Sequence, residues 1–313
     1  MEKRKYREGV KLNKVVLLLA TQKGHIVLKR LLESGFSENI KFVCSFREVA
    51  VEKSWDEDIY KLCDKYSVEH LNWKEGKLAL DNINVQEVTA VIAIGWKYIL
   101  DDKLNTILKY GIITLHDSLL PKYRGFAPTP TAIICGENEV GVSAIFSVNE
   151  MDAGDIICQR KIELTGKEYI KEIIERQASI YAEIVLEVVG KIVNNISLDR
   201  HKQDESLATY SVWRNIDDCR IDWKDSATHI YNLIRAVSAP YHGAYFMYEN
   251  QKIVVCRAEI IEDKVFAIRD VGKIWKIRDN CAEIICGHGM IRITEAHKPN
   301  GEIFEFTKVR VRL

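Results

Sequence analysis

The run Val15-Val16-Leu17-Leu18-Leu19 is apolar at every position, and Val88-Thr89-Ala90-Val91-Ile92-Ala93-Ile94 is nearly so. Short runs of this kind are typical of strands that are buried on both faces of a parallel sheet. Outward from these runs, predicted strands and helices alternate: strands at 40–46, 112–115, 141–148 and 156–164, and helices at 26–32, 57–66, 101–110 and 129–135, with Gly24 in a turn after the first strand. This alternation predicts an α/β fold with right-handed crossover connections.

The pattern changes in the last third of the chain. A capping box at Thr165 to Glu168 predicts the start of a long helix, which Gly190 would end. The polar stretch 194–206 has the composition of a linker, so we predict two domains, 1–200 and 201–313. The second is expected to be smaller, β-rich and barrel-like, because one helix at 226–237 precedes short predicted strands at 253–258, 265–268, 272–277, 282–286 and 290–295.

Composition excludes several classes of protein. The 313 residues include 47% hydrophobic and 29% charged side chains, which supports a packed core and excludes a disordered or collagen-like chain. Lys plus Arg and Asp plus Glu both total 45, so the chain lacks the basic excess that suggests nucleic-acid binding. Six basic residues are concentrated at 3–14, where we predict a solvated arm whose role stays open.

The sequence near the start predicts a soluble, cytoplasmic protein that does not enter membranes. The longest apolar run there, Val15 to Ala20, is far below the ~20 residues of a membrane helix, and its flanks do not resemble a signal peptide. The eight cysteines show no CxxC spacing and mostly lie in apolar stretches. We therefore expect buried thiols in a reducing compartment and no bound metal, with a structural zinc as the less favoured alternative.

One region contains the residue types of an enzyme site. His116 ends a predicted strand and begins a loop with two prolines and a glycine, and the carboxyl ends of strands in open α/β sheets are where ligands bind. Thr114 lies two residues earlier, so its side chain is expected on the same face. Asp152 and Asp155 follow in a predicted turn within reach of the histidine. A hydrogen-bonded loop histidine with two turn-forming aspartates would give the same spacing, so both interpretations stay open.

The motif His116-Asp-Ser-Leu-Leu-Pro-Lys-Tyr-Arg-Gly, with Asp152-Ala-Gly 36 residues further on, resembles the 10-formyltetrahydrofolate-dependent formyltransferases. That family includes methionyl-tRNA formyltransferase, glycinamide ribonucleotide formyltransferase and the sugar amine N-formyltransferases. The likeness covers roughly residues 13–300 and extends to Ala93 through Leu100, to 209–223 and to 230–244. It implies a Rossmann-like formyltransferase domain with a folate cleft, joined to the smaller β-rich domain.

The resemblance also implies roles for individual residues. His116, made more basic by Asp152, would supply a proton or a charged donor to the formyl oxygen, and Asp152 would help to move a proton from the amine to the folate nitrogen. The family usually has asparagine where this chain has Thr114. A hydroxyl offers one donor where an amide offers two, so we expect lower activity or compensation by a nearby donor.

Ligand-contacting positions follow from the same likeness. The pteridine ring would lie against the main chain of Tyr98, Ile99 and Leu100 and of the loop just before Asp152, and Asp155 is a further candidate for binding folate. The candidates for the second substrate are side chains that stack on a base or bind a phosphate: Trp96, Trp213, Arg214, Tyr241 and His242. Packing between domains would explain these five residues equally well.

The predicted activity is formylation, without a metal, of the amino group of a nucleotide-linked amino-deoxy sugar by 10-formyltetrahydrofolate. By analogy, the sugar would be a 4-amino-4,6-dideoxyhexose on UDP or dTDP, used for surface glycan biosynthesis. Between residues 201 and 313, 8 Lys and 9 Arg face 16 acidic residues, which argues against tRNA as a partner. A methionyl-tRNA formyltransferase and a non-catalytic folate or nucleotide binder are the alternatives. The oligomeric state stays open, a homodimer included.

Overall fold

A computed structural model describes residues 13–49, 53–309 and 311–313. The predicted basic arm lies outside the described residues, except for its last two positions, 13 and 14. The elements in chain order are β1 (Lys14–Leu19), α1 (Thr21–Glu33), β2 (Ile40–Ser45), α2 (Asp56–Lys65), β3 (His70–Asn72), α3 (Trp73–Asp81), β4 (Val88–Ile94), α4 (Lys103–Ile107), β5 (Ile112–His116), β6 (Arg124–Gly125), α5 (Pro128–Ile134), β7 (Glu139–Phe146), β8 (Ile156–Glu163), α6 (Ile170–Val193), β9 (Tyr210–Ser211), α7 (Ala227–Val237), β10 (Ala244–Tyr248), β11 (Gln251–Ile261), β12 (Ile274–Arg278), β13 (Cys281–Ile285) and β14 (Met290–His297).

The N-terminal sheet is mixed. Within the described residues it has seven strands in the order β3-β2-β1-β4-β5-β7-β8, and β1 to β5 run parallel while β7 is antiparallel to β5. The order reverses between β1 and β4, which is the switch point where open α/β sheets bind ligands at the carboxyl ends of their strands. The predicted α/β fold is confirmed.

The buried strands have cores on both of their faces. In β1, Val15, Leu17 and Leu19 belong to one apolar cluster, while Val16 and Leu18 belong to another. Helices α1 and α6 supply much of the first cluster. Apolar side chains at every position of β1 are thus explained by burial from both sides.

The C-terminal β-rich region is confirmed as an antiparallel sheet. Its strands, as far as the structure describes them, follow the order β10-β11-β14-β13-β12. Helix α7 begins after Ser226, whose hydroxyl accepts a hydrogen bond from the backbone N–H of His229 at 3.1 Å. This is the N-cap geometry expected of a serine before an apolar helix.

The chain divides into two compact units, and neither is continuous in sequence. Of the described residues, the first takes in those up to 122 together with 141–160 and 176–208, and the second takes in those of 123–140, 161–175 and 209–313. The predicted domain boundary at residue 200 stays a prediction. Within the described part of the chain, no helix is both long enough and apolar enough to cross a membrane.

Three predictions about helix ends are wrong. Gly24 lies inside α1 and not in a turn, where a Cβ would come 3.1 Å from the Cβ of Leu19. The Glu168 carboxylate does accept from the backbone N–H of Thr165, at 2.9 Å, but this closes a turn and α6 begins only at 170. Helix α6 also continues past Gly190 to Val193. Asn195, two residues after the end of α6, has φ at 59° and takes the left-handed conformation that often follows a helix.

Other elements were missed or misplaced. The stretch 265–268 is not a strand, and Val265 and Ile268 are exposed. The polar stretch 194–206 is not a loose linker, because His201 exchanges two backbone hydrogen bonds with Ile156, at 2.8 and 3.0 Å. Strand β3, helix α3 and strand β10 had no prediction, since their short or mixed patterns lack a clear period.

Candidate active site

His116 is the last residue of β5, at the edge of the sheet where the parallel strands end. Strand β5 lies between β4 and β7, and His116 pairs with Ser143 of β7. Only 8% of His116 is exposed. The histidine is therefore fixed by strand pairing, at the edge where ligands of open α/β sheets bind.

Asp152 faces this histidine, as predicted. The Nδ1 atom of His116 lies 3.5 Å from Oδ2 of Asp152, and the side chain of Asp152 is 22% exposed. This distance is longer than the roughly 2.7–3.2 Å of a well-formed N–H···O hydrogen bond. The carboxylate of Asp152 therefore lies beside the imidazole ring at the end of β5.

Backbone constraints in the turn between β7 and β8 position Asp152. Asp152 has φ at 53°, in the left-handed region. Two residues later, a Cβ on Gly154 would overlap the carbonyl oxygen of Phe146. The backbone N–H of Phe146 also donates to the carbonyl of Asp155 at 3.0 Å. The Asp-Ala-Gly sequence is thus the one that lets this turn lie flat against the end of β7.

Gln203 holds the same turn from the other side. Its side-chain amide donates to the carbonyl oxygens of Asp152 and Gly154, at 2.7 and 2.8 Å. Sequence reasoning missed Gln203 because the stretch 194–206 was interpreted as a linker. The polar side chain of Gln203, which contributed to the composition of a linker, in fact binds backbone carbonyls of the turn.

Thr114 lies in β5, opposite Ala93 of β4 and Ile145 of β7. It is half-buried and two residues before His116, so the pleat puts both side chains on one face of the sheet, as predicted. Its hydroxyl is the one donor or acceptor that the side chain offers on that face.

A charged pair that was not predicted lies directly behind the histidine. The Nζ atom of Lys23 in α1 lies 2.6 Å from the carboxylate of Asp117. The phenol oxygen of Tyr181 lies within reach of both the same carboxylate and, at 3.1 Å, the carbonyl of Leu115, and its single O–H donates to one of them at a time. Burial opposes ionisation of Asp117, but Lys23 outweighs it and holds the pKa of the carboxyl below its usual value.

An aromatic cluster follows β4, where the pteridine ring was expected. Tyr98 stacks on Trp73 with ring centroids 5.0 Å apart, and Trp96 meets Phe46 edge to face at 5.2 Å. The indole N–H of Trp96 is buried and has no hydrogen-bond partner among the described residues. Ile99 is 97% exposed. The loop after β4 thus combines a packed aromatic cluster with the uncovered side chain of Ile99.

Leu100 and Asp155, also predicted to lie near folate, differ in their surroundings. Leu100 packs against the apolar cluster formed by β1 and β4. The Asp155 carboxylate lies 3.5 Å from Nη1 of Arg200, whose guanidinium also lies over the ring of Phe146 at 3.6 Å. Asp155 is thus engaged in an ion pair next to the turn that bears Asp152.

The remaining predicted residues belong to the second unit. Trp213 is 74% exposed and lies edge to face with Phe126 at 6.4 Å. The Nε atom of Arg214 is buried without a partner among the described residues. Tyr241 and His242 are exposed in the loop before β10. Trp213, Tyr241 and His242 are therefore accessible within this unit.

Relatives in sequence include enzymes that act on tRNA. The chain is 34% identical over 209 residues to a methionyl-tRNA formyltransferase of Caldanaerobacter subterraneus subsp. tengcongensis, a match that covers 67% of this chain and 65% of that protein. The chain thus spans just under two thirds of the length of that relative.

Solved structures of similar fold include sugar-modifying proteins. WlaRD, a sugar 3N-formyl transferase crystallised with dTDP and 5-N-formyl-THF, has a TM-score of 0.68 and 19% identity, with 92% of this chain and 98% of that chain covered. An N-formyltransferase from Helicobacter canadensis, in complex with folinic acid and dTDP-3-aminofucose, has a TM-score of 0.69 and 16% identity, with 91% and 100% covered. These likenesses support the fold.

Family models match nearly the whole described chain. The formyl transferase model covers residues 13–189, and the model of the formyl transferase C-terminal domain covers 215–309. The first match takes in β1 to β8, His116 and Asp152, and the second takes in α7 and the antiparallel sheet. The chain therefore belongs to the formyl transferase family.

Proposed function

We propose that this protein transfers a formyl group from 10-formyltetrahydrofolate to the amino group of a nucleotide-linked amino-deoxy sugar. The observation that carries the proposal is the His116–Asp152 pair, 3.5 Å apart at the carboxyl end of β5, in a chain of the formyl transferase family. A formyl transfer needs a positive or hydrogen-bonding group where oxyanion charge develops. The pair provides one.

The proposed step balances without a covalent enzyme intermediate. The substrate amine attacks the formyl carbon, a new C–N bond forms, and negative charge builds on the formyl oxygen, where protonated His116 stabilises it. The bond to the folate N10 then breaks, and the amine proton passes to that nitrogen with the help of Asp152. The products are a formamide and tetrahydrofolate.

Thr114 supports the same oxyanion in this proposal. Its position on the face of His116 fits a second donor to the formyl oxygen, in place of the usual asparagine of the family. The aromatic cluster that contains Trp96 and Tyr98 would border the folate, because a flat heterocycle favours aromatic neighbours and can bind the main chain of 98–100. Arg214 and Trp213 are proposed to contact the nucleotide.

Two observations favour an amino sugar as the acceptor. The sugar-related structures share the fold over 92% and 91% of this chain, and one of them is in complex with dTDP-3-aminofucose. The C-terminal part also lacks a cationic surplus, with 17 basic residues against 16 acidic ones between 201 and 313. A sugar diphosphate needs one or two cations, whereas a tRNA surface needs many.

A methionyl-tRNA substrate is the second candidate. It is favoured by the 34% identity over 209 residues, which exceeds the 19% and 16% identity to the sugar-related structures. The relatives in sequence act on methionyl-tRNA, whereas the similar structures are sugar-related. A direct assay therefore separates the two acceptors.

The deciding experiment incubates the full chain with 10-formyltetrahydrofolate and an acceptor panel. The panel contains 3-amino and 4-amino dideoxyhexoses on UDP and on dTDP, and methionyl-tRNA is assayed in parallel. Mass spectrometry then detects a gain of one formyl group. Formylation of a sugar nucleotide that His116→Ala abolishes supports the proposal. Formylation of methionyl-tRNA alone replaces the acceptor, and no formyl transfer to any acceptor overturns the activity.

A further inference from the structure

Three side chains of the C-terminal sheet converge on one point. The ligand atoms of Cys256 in β11 and of Glu295 and His297 in β14 all lie within 4.8 Å of one another. The Nε2 atom of His297 is 3.2 Å from Oε1 of Glu295. In the described part of the chain, this is the one group of three cysteine, histidine or acidic side chains so arranged.

The register of strand pairing creates this convergence. Val254 pairs with His297 and Val255 with Ala296, and beyond an irregularity at Arg257 the same register resumes, so Cys256 lies at the level of Glu295. Glu295 and His297 are two residues apart in β14, and their side chains therefore share one face, opposite to that of the buried Ala296. Cys256 follows the buried Val255, so its thiol lies on the same face as those two side chains.

The donor set suits one metal ion. A thiolate, an imidazole and a carboxylate together favour Zn²⁺ over Mg²⁺ or Ca²⁺, which prefer oxygen ligands. With bond lengths of about 2.0–2.3 Å, tetrahedral zinc ligands lie roughly 3.3–3.8 Å apart. The His297–Glu295 distance of 3.2 Å is already close to this value, and the 4.8 Å limit leaves a contraction of about an ångström.

We propose that Cys256, Glu295 and His297 bind one Zn²⁺ ion, with the fourth coordination position open to water. The cluster is half-buried to exposed, so the fourth position is accessible. An ion here would join β11 to β14 through side chains from both strands. Its expected effect is to stabilise the C-terminal sheet.

The cation that follows Cys256 in sequence is engaged elsewhere. This is Arg257, whose guanidinium lies over the ring of Tyr169 at 4.0 Å. Burial and then Glu295 raise the pKa of the Cys256 thiol, so Zn²⁺ must displace a proton on binding. This zinc site is separate from the proposed transfer chemistry, which uses no metal. Substitutions in it are therefore expected to leave formyl transfer unchanged.

Spectroscopy with Co²⁺ in place of Zn²⁺ tests the proposal on the full chain. Wild type should bind one Co²⁺ per chain and show a thiolate-to-cobalt charge-transfer band that Zn²⁺ removes. Cys256→Ser should lose the band, and His297→Ala should need about tenfold more Co²⁺ or more to reach it. The matched control is Cys281→Ser, a half-buried cysteine of β13 in the same sheet but outside the cluster.

Calorimetry and thermal melting complete the test. Zn²⁺ should bind with a stoichiometry of one and raise the melting temperature of wild type and of Cys281→Ser, but not that of Cys256→Ser. Circular dichroism checks that each variant is folded, and Glu295→Gln provides a third ligand variant should one fail. The absence of a thiolate band in wild type, or its persistence in both Cys256→Ser and His297→Ala, would overturn the proposal.

Discussion

The Nζ atom of Lys23 lies 2.6 Å from the carboxylate of Asp117, so a cation from α1 is fixed next to the residue that follows His116. Tyr181 adds a hydrogen bond to the same carboxylate, and its own pKa is raised by burial and by Asp117. This ion pair fixes the backbone at the point where β5 ends and the loop begins. It has consequences for stability that can be measured.

Replacing Asp117 should destabilise the protein in a pH-dependent way. Asp117→Asn leaves Lys23 without its anion and should cost about 1–3 kcal/mol near neutral pH. The carboxyl pKa in the folded protein lies below its ordinary value of about 3.9, so its contribution is present above that pH and is lost as the pH falls through the folded-state pKa. The difference between wild type and variant should therefore shrink in acid.

Urea unfolding at about pH 7 and about pH 3 measures that difference. The matched control is Asp225→Asn, whose carboxylate lies 3.7 Å from His229 with both side chains 47% exposed. An exposed pair contributes less than about 1 kcal/mol, so this control should change little. An equal loss in both variants would contradict the special role of the Lys23–Asp117 pair.

Removing the His116 imidazole should slow turnover without unfolding the protein. His116→Ala and Asp152→Asn should each lower kcat by ~10² or more, because both remove charge stabilisation that acts in the transition state. Steady-state kinetics measures the effect and circular dichroism checks the fold. His229→Ala, another histidine near an aspartate, should keep wild-type turnover. If His116→Ala does the same, its catalytic role is excluded.

Thr114 should contribute through its hydroxyl. Thr114→Val should lower kcat by ~10-fold to 10³-fold, in line with the loss of one oxyanion donor, whereas Thr114→Ser keeps the hydroxyl and should retain most of the activity. Thr114→Asn is expected to equal or exceed wild type. A neutral Thr114→Val would show that another group holds the oxygen.

Gln203 should act by positioning Asp152. Gln203→Ala removes two hydrogen bonds to the backbone of the turn, and we expect kcat to fall about tenfold with KM for the amine little changed. Gln203→Glu cannot donate to those carbonyls and should behave similarly. Gln251→Ala, at an exposed strand end, is the control. A change in KM alone would argue against a role for Gln203 in positioning Asp152.

Methionyl-tRNA should bind weakly. The near-balanced charge of residues 201–313 leads us to expect no tight complex in a gel shift at physiological salt. A tight complex that weakens steeply as salt rises would contradict this expectation.

Local sequence signals predicted the features that depend on local pattern. The run Val88 to Ile94 is strand β4 with the same bounds. A short apolar stretch of that length is typical of a strand that is buried on both faces of a parallel sheet. The motif predicted that His116 and Asp152 lie close together, and Nδ1 of His116 is 3.5 Å from Oδ2 of Asp152. Both predictions rest on patterns that need no knowledge of distant partners.

Features that depend on distant partners were not predictable. Lys23 and Asp117 are far apart in sequence, and neither residue type by itself indicates the other. Gly24 was misassigned because its small size serves packing against Leu19 and not a turn. Cys256 gave no metal spacing in the sequence, because its place beside Glu295 and His297 is a property of the pairing of β11 with β14.

The missing side chain of Gly154 limits how this turn can be redesigned. Any larger residue would collide with the Phe146 carbonyl and push the turn away from β7, taking Asp152 with it. A library can therefore diversify the exposed tip at 149–151 while residues 152–154 are kept constant. The sequence of the tip and the position of the Asp152 carboxylate are, in this loop, separable targets for directed evolution.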